Sequence, residues 1–572
     1  MTENENSSFP ETLKCIGVYN HCHLPVAAAY CRKLQLAETI NTLVPSEMLL
    51  TPGHAVQAMV LDVLSGRSPL YRVKDFLADQ DRELLLGEDI DPDRFSDHTL
   101  ARSLDSLAAY GTGRIITELG IKAVRLFQLD VSAVSFDTTS TSVWGEYEYS
   151  EDEPGPNITL GHSKDHQPQL KQFMTELLCV DRGVPVFSRV VDGNSSDKNL
   201  NNEMLRRIGK LMHAHGLGPG AFVYVADSAM VTKDNLSELG DNRFISRLPA
   251  NFSVCNEATL EAVDQDAWSE PEVIQEIPAC AKRPPAQYRT YETDVKIDGV
   301  SYRAVVIHSS AHDKRRKKKI ERQITASKKA LEKDIRKLQT EFFCEADAIM
   351  AVDEAKKRKS PLHSINGAIN PYAARRPGRP PKNKPAPTVT KFQVNWSIEE
   401  NKSAIAQLEN QTGCFVLLTN VPRTGQDGLD SLGVLKTYKG QYGVESDFAF
   451  LKDPLVVNDL FLKTPARIDA LGMILVIALM VARLIEIYMR RYLDINEETV
   501  IGLNNTKTNR PTYFAMTCAV IHIQVFMFKN KRWLKDDLPE RQRQFLKALG
   551  LGPSVFTDPE SKPIIIPPKL VT

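Results

Sequence analysis

Paired cysteines are missing from this sequence: nine cysteines lie scattered over 572 residues with no Cys-x-x-Cys among them. An odd count without framework spacing argues against a disulfide scaffold and fits a reducing cytosol, so a cytoplasmic location is expected. Cys15, His21, Cys22 and His23 are irregularly spaced, which favours plain structural roles over a zinc site. His162 and His166 have ligand-like spacing, but Gly161, Ser163 and Pro168 around them argue for a loop, and no further Cys or His completes a set. No Ser/His/Asp or Cys/His constellation is visible, which sets a metal-independent hydrolase aside. Residues 1–6 are acidic and polar, so no secretory leader is expected. The most apolar stretch, 468–493, is interrupted by Asp469, Arg483 and Glu486. It reads as a buried helix and not a membrane span, with Thr464 as cap and Pro465 as first helical residue.

Excess charge of either sign is also missing, since the net charge is −1. The distribution is uneven, however. Residues 311–384 hold 21 Lys and Arg against 9 Asp and Glu, whereas residues 251–300 hold 10 acids against 4 bases. A neutral total therefore hides a basic stretch of the kind a selective electrostatic footprint requires.

The chain is too long for one core. Residues 1–125 read as a helical domain, with apolar helical patterns over 57–64 and 99–107 and Ser96 or Asp97 as cap for the second. DNA binding and a packing role are both open for it. From 126 to 249 the pattern changes to strands over 134–139, 173–180 and 184–191, with Asp181-Arg182-Gly183 as a tight turn. A helix over 198–215 and strands over 222–226 and 244–248 follow. Residues 250–413 read as an insertion that begins with extended segments. A charged helix follows, whose apolar stripe is Ile320, Ile324, Leu331, Ile335, Leu338 and Phe342. Its opening run, 314–319, is six consecutive cations. A Pro-rich basic segment carrying Arg376 and Arg379 comes next and reads as a linker or an AT-hook-like minor-groove contact. The core resumes over 414–495, and 496–572 reads as a helical C-terminal region.

Three acids stand out. Asp137 and Asp227 end or interrupt β-branched apolar runs, so they read as strand carboxylates. Glu445 lies in a segment with helical spacing. Tyr438, Gln441, Glu445 and Lys452 are separated by three, four and seven residues, which on one continuous helix places them on a narrow stripe. Val444, Phe448 and Leu451 form the adjacent apolar stripe. Two strand carboxylates and one helix carboxylate can hold a pair of divalent metal ions for in-line attack on a phosphodiester.

These residues resemble a family. Tyr-x2-Arg-x3-Glu-x6-Lys is a signature of bacterial insertion-sequence transposases with an Asp-Asp-Glu active site. Tyr438, Glu445 and Lys452 match it, and Gln441 stands at the arginine position, able to hydrogen-bond a phosphate but bringing no charge. Gly161-His162-Ser163-Lys164-Asp165-His166, Asp192-Gly193-Asn194 with Asp197, the 412–420 segment, and the 450–454 and 463–468 segments resemble further parts of the same family.

The resemblance implies a ribonuclease-H-like α/β core, a mixed sheet with flanking helices interrupted by the insertion. The strands bearing the first two acids are neighbours in such a core. It also implies that Asp137, Asp227 and Glu445 are catalytic and bind two Mg²⁺, with Mn²⁺ able to substitute. Lys452, Gln441 and Tyr438 would position DNA phosphates, with Lys164 as a further candidate. The implied partners are double-stranded DNA, as terminal inverted repeats and target, and a second copy of the chain when DNA is bound. No membrane is implied. Two other readings stay open: a decayed or domesticated transposase that only binds DNA, and a nuclease of the same fold without strand transfer.

Overall fold

The structure is a computed structural model that describes residues 17–566, except 67, 148–153, 215, 217, 219, 275–284, 311–312, 359, 377–387, 426, 454–461 and 463. Arg379, Cys15, residues 1–6 and parts of the 450–454 and 463–468 segments therefore lie outside the described residues. The chain forms two units. The first comprises Met1–Arg247, Asn420–Gly428 and Leu435–Thr572; the second comprises Leu248–Thr419 and Leu429–Val434.

The first unit is built around one helix, Pro465–Asn496, which begins after Thr464 with proline in its first turn. Among the described residues it alone is long and apolar enough to cross a membrane, and its apolar window is 83% buried inside the protein. Ile474, Ile477, Leu479, Val481 and Ile485 are inaccessible to solvent. Each such side chain contributes about 1.5–3 kcal/mol by leaving water. A helix apolar all round needs partners all round. It packs against helices Leu24–Leu34, Pro52–Ser65, Asp97–Tyr110 and Thr112–Phe127 on the N-terminal side, against strand Val184–Val191, and against helices Tyr513–Ala519 and Glu540–Ala548. The N- and C-terminal regions thus share a hydrophobic core with the sheet instead of standing as separate domains. Ser96 caps the Asp97–Tyr110 helix through the amide of Thr99.

The C-terminal region is not wholly helical, contrary to the expectation for it. Val525–Phe528 and Lys531–Leu534 form a hairpin, and Gly17–Tyr19 pairs with its first strand. The turn residues Lys529 and Asn530 both take left-handed φ, the requirement of a tight two-residue turn. Residues 513–528 therefore hold a short helix, Tyr513–Ala519, and a strand, Val525–Phe528.

The sheet of this unit has five strands in the order Val184–Val191, Lys171–Val180, Ala133–Val143, Val223–Ala226, Arg243–Arg247. The first three are antiparallel to one another. The last two run parallel to Ala133–Val143 and to each other. Helix Asp197–Ala214 connects the antiparallel to the parallel part. The Asp181-Arg182-Gly183 turn has φ of 46°, 65° and 137°. The architecture is a mixed α/β sheet with flanking helices.

In the second unit, strand Cys414–Thr419 pairs with Val300–Ser309, which pairs with Gln287–Ile297. The charged helix runs over Asp313–Ile335 and stops short of Phe342. Phe342 instead sits in a two-residue strand and packs with Ala348, Val352 and Val394. Residues 377–387, which hold most of the Pro-rich basic segment, lie outside the described residues; on either side of them two 13-residue strands, His363–Arg375 and Thr388–Glu400, form a long antiparallel ribbon.

Candidate active site

Asp137 and Asp227 come side by side through strand register. Ala133–Val143 and Val223–Ala226 are parallel neighbours, with Val134 beside Tyr224 and Phe136 beside Ala226. The two aspartates are the next residue on each chain. Adjacent strands lie about 4.8 Å apart, so carboxylates at one level can share a ligand. The strand ends at Asp227 because its own carboxylate caps the turn Ser228–Met230, accepting from the amide of Ala229 at 3.0 Å. Asp137 accepts from the amide of Thr138 at 2.7 Å.

Burial pushes Asp137 up to about 7; Lys164 opposes the shift, and Asp227 and Asp197 add to it. Burial likewise raises Asp227, with Asp197 adding and Lys164 and the Ala229 amide opposing. Partial burial and the neighbouring acids thus disfavour the charged form of both carboxyls. Lys164 is the cation among these acids. Its Nζ donates to the carbonyl of Thr138 at 2.7 Å and to its hydroxyl at 2.8 Å, and lies 3.2 Å from Asp197 Oδ1. The Thr138 hydroxyl donates onward to Asp197 at 2.5 Å. The loop carrying Lys164 is seated by close backbone approach: a Cβ on Gly161 would stand 2.0 Å from the carbonyl oxygen of Gly193.

The glutamate helix differs from the single continuous helix expected over 438–452. Helix Ser431–Lys439 ends, and a new one, Tyr442–Leu451, begins after Gln441. Three-residue hydrogen bonds, Gln441 N to Tyr438 O and Gly443 N to Gly440 O, tighten the chain across the join. The four signature residues therefore do not form one stripe. Gln441 is buried at the start of the second helix, Glu445 is exposed in its first turn, and Lys452 follows its end. Val444 and Leu451 are buried as their stripe predicts, while Phe448 is only half-buried.

Tyr438 nevertheless senses the charge of all three acids. Burial pushes its hydroxyl up to about 12; Arg247 opposes this, and Asp227, Glu445 and Asp137 all add to it. One phenol is thus within electrostatic reach of every acid of the expected trio. Lys452 forms a 2.6 Å ion pair with Asp165, the residue after Lys164. The 161–170 loop so touches both the Asp137 strand and the end of the glutamate helix.

Carboxylate oxygens suit a hard divalent cation, and two half-buried carboxyls with raised pKa are a donor set that such a cation would relieve. The residues present fit the group in donor chemistry. Among the described residues, no three acidic, His or Cys side chains are drawn into a ready metal-binding cluster. Arg376 belongs to the second unit, exposed just past the strand His363–Arg375.

Sequence reasoning missed several residues here. Asp197 and Thr138 were seen only as parts of neighbouring segments, and Arg247 not at all; nothing in their spacing signals contact across the sheet. Asp447, fully buried beside Glu445, was missed because one acid among Val444, Phe448 and Leu451 has no periodic mark. Arg483 Nε donates to it at 2.5 Å.

Residues 17–121 match a family described as a domain of unknown function, DUF4277. The match covers the strand Gly17–Tyr19 and the N-terminal helices as far as the helix Thr112–Phe127, and ends before the first acid. No curated protein matches the chain.

Proposed function

We propose that this chain is a metal-dependent DNA transposase that cleaves the ends of a mobile element and joins them to target DNA. The observation that carries the reading is the pairing of Asp137 and Asp227 at one level of adjacent parallel strands, with Tyr438 feeling both of them and Glu445. Three antiparallel strands, a helix and two parallel strands, with the Asp137 strand central, support a ribonuclease-H-like core. Asp137, Asp227 and Glu445 are the residues that would hold two Mg²⁺, or Mn²⁺ in their place. When bound, such ions supply the charge that activates a water or a DNA 3′-hydroxyl and stabilises the leaving oxygen. Tyr438 presents a protonated phenol, a hydrogen-bond donor toward a phosphate. Lys164 holds Thr138 and the Asp137 strand in place, and Lys452 brings a cation to the end of the glutamate helix. The expected partners are terminal inverted repeats, target DNA and a second copy of the chain on DNA, in the bacterial cytoplasm.

A DNA-binding protein descended from such an enzyme is the second reading. Gln441 favours it, since the signature cation is replaced by a buried amide. The test is incubation with DNA carrying the element's terminal repeat. Mg²⁺- or Mn²⁺-dependent nicking that Asp137→Ala abolishes supports the enzyme. Tight repeat binding without cleavage under either metal supports the second reading, and cleaved ends that never join a target plasmid indicate a nuclease.

A further inference from the structure

The second unit carries a feature that the catalytic reading does not use. Between Glu354 and Glu399 the chain has no Asp or Glu and ten Lys and Arg. This acid-free segment contains the first strand of the ribbon and nearly all of the second. The half of the ribbon nearer its first residues is covered: Ile365 packs with Leu331 and Ala355, and Val394 with Phe342, Ala348 and Val352. Cover ends near Phe392. Beyond it the strands continue as registered pairs, Tyr372 beside Lys391, Ala373 beside Thr390, Ala374 beside Val389 and Arg375 beside Thr388. Ala373, Arg375, Arg376, Thr388, Val389 and Thr390 are exposed. Four pairs at about 3.3 Å per residue extend roughly 13 Å.

This end of the ribbon is slim, because Ala373, Ala374, Thr388 and Thr390 are small. It is also cationic. Arg375 and Arg376 have no side-chain partner among the described residues. Lys391 is balanced by Glu341 at 3.4 Å, and lies over the ring of Phe343. A two-stranded ribbon fits the major groove of duplex DNA, about 12 Å wide and 8.5 Å deep, and a polyanion is the partner that an acid-free arm selects.

We propose that the exposed end of this ribbon, residues 372–376 and 388–391, is a second duplex-DNA contact. It enters a groove with its small side chains, and Arg375 and Arg376 neutralise backbone phosphates. This deepens the DNA reading of the chain but requires no metal and no intact acid trio.

The test is fluorescence anisotropy of the full chain with a labelled random-sequence duplex, in chelator, over a range of NaCl concentrations. Each phosphate contact contributes a slope of about −0.9 to log K against log salt. Arg375→Ala/Arg376→Ala is expected to flatten the slope by about 2 and weaken binding about 10-fold or more at low salt. Both arginines are exposed, so an unaltered melting temperature shows that folding is intact. An unchanged slope in the double variant, absence of duplex binding by the parent chain, or stronger ribbon-dependent binding to single-stranded RNA would each overturn the assignment. Failure of cleavage with this slope change intact would count against the catalytic reading alone.

Discussion

Gly443 lies so close to Arg182 that a Cβ on the glycine would stand 1.8 Å from the Arg182 carbonyl oxygen. This contact sets the helix that carries Glu445 against the turn between the second and third antiparallel strands. Gly443→Ala must therefore move backbone. The expected cost is about 1–3 kcal/mol in urea denaturation, with loss of metal-dependent cleavage under conditions where the variant remains folded. Gly209→Ala, in helix Asp197–Ala214 with open space around it, is the control and should stabilise by about 0.5–1 kcal/mol. Equal effects at the two positions would contradict the close approach.

Asp447 is fully buried, and its partner Arg483 also donates to Ser446 at 2.8 Å and to Glu486 at 3.0 Å. The pair fastens the glutamate helix to the central apolar helix. Asp447→Ala leaves a buried guanidinium underpaired and is expected to destabilise by about 3–5 kcal/mol. A thermal or urea transition that shifts little, or moves toward greater stability, would show that the pair is dispensable.

Asp137 binds its proton more tightly folded than unfolded, about 7 against an ordinary 3.8. Between those values the folded state holds more protons, so its stability falls as pH rises from about 4 to about 7 and then levels. Asp137→Asn removes this loss. In metal-free buffer the variant should gain on the order of 2 kcal/mol over the parent at pH 8, since partial exposure screens part of the penalty, and nothing below pH 4. Urea midpoints across that range are the check. Addition of Mg²⁺ at pH 8 should stabilise the parent and not the variant.

Lys452 and Asp165 are partly exposed, so their ion pair contributes at most about 1 kcal/mol. Asp165→Ala should leave the melting temperature nearly unchanged and release the ammonium. Duplex affinity at low salt should then rise by about 2- to 5-fold. Lys452→Ala should lower it, and Lys452→Arg should restore it. Identical affinities across the three would show that this lysine does not meet DNA.

Much of the local structure was legible in residue order. The strands over 134–139, 173–180 and 184–191 show β-branched runs bounded by a Gly-containing turn, and the observed strands contain them. The 468–493 run is apolar on every side and forms the buried helix. The breaks were less legible. Helical spacing continues through Tyr438, Gln441 and Glu445, yet three-residue hydrogen bonds at Gly440 and Gln441 divide the helix there. Helical spacing also continues to Phe342, but that ring is captured by Val352 and Val394 from elsewhere in the chain.

Periodicity and the identity of a few polar residues are local properties, so the order of the residues alone determined which segments would be strands, which helix would be buried, and which acids stood out. Register and contact are properties of distant segments meeting. Only the folded chain decided that Asp137 and Asp227 share one level, that Lys164 and Asp197 join them, and that His363–Arg375 and Thr388–Glu400 pair as a ribbon. Each depends on hydrogen bonds and packing between residues that no spacing in the sequence relates.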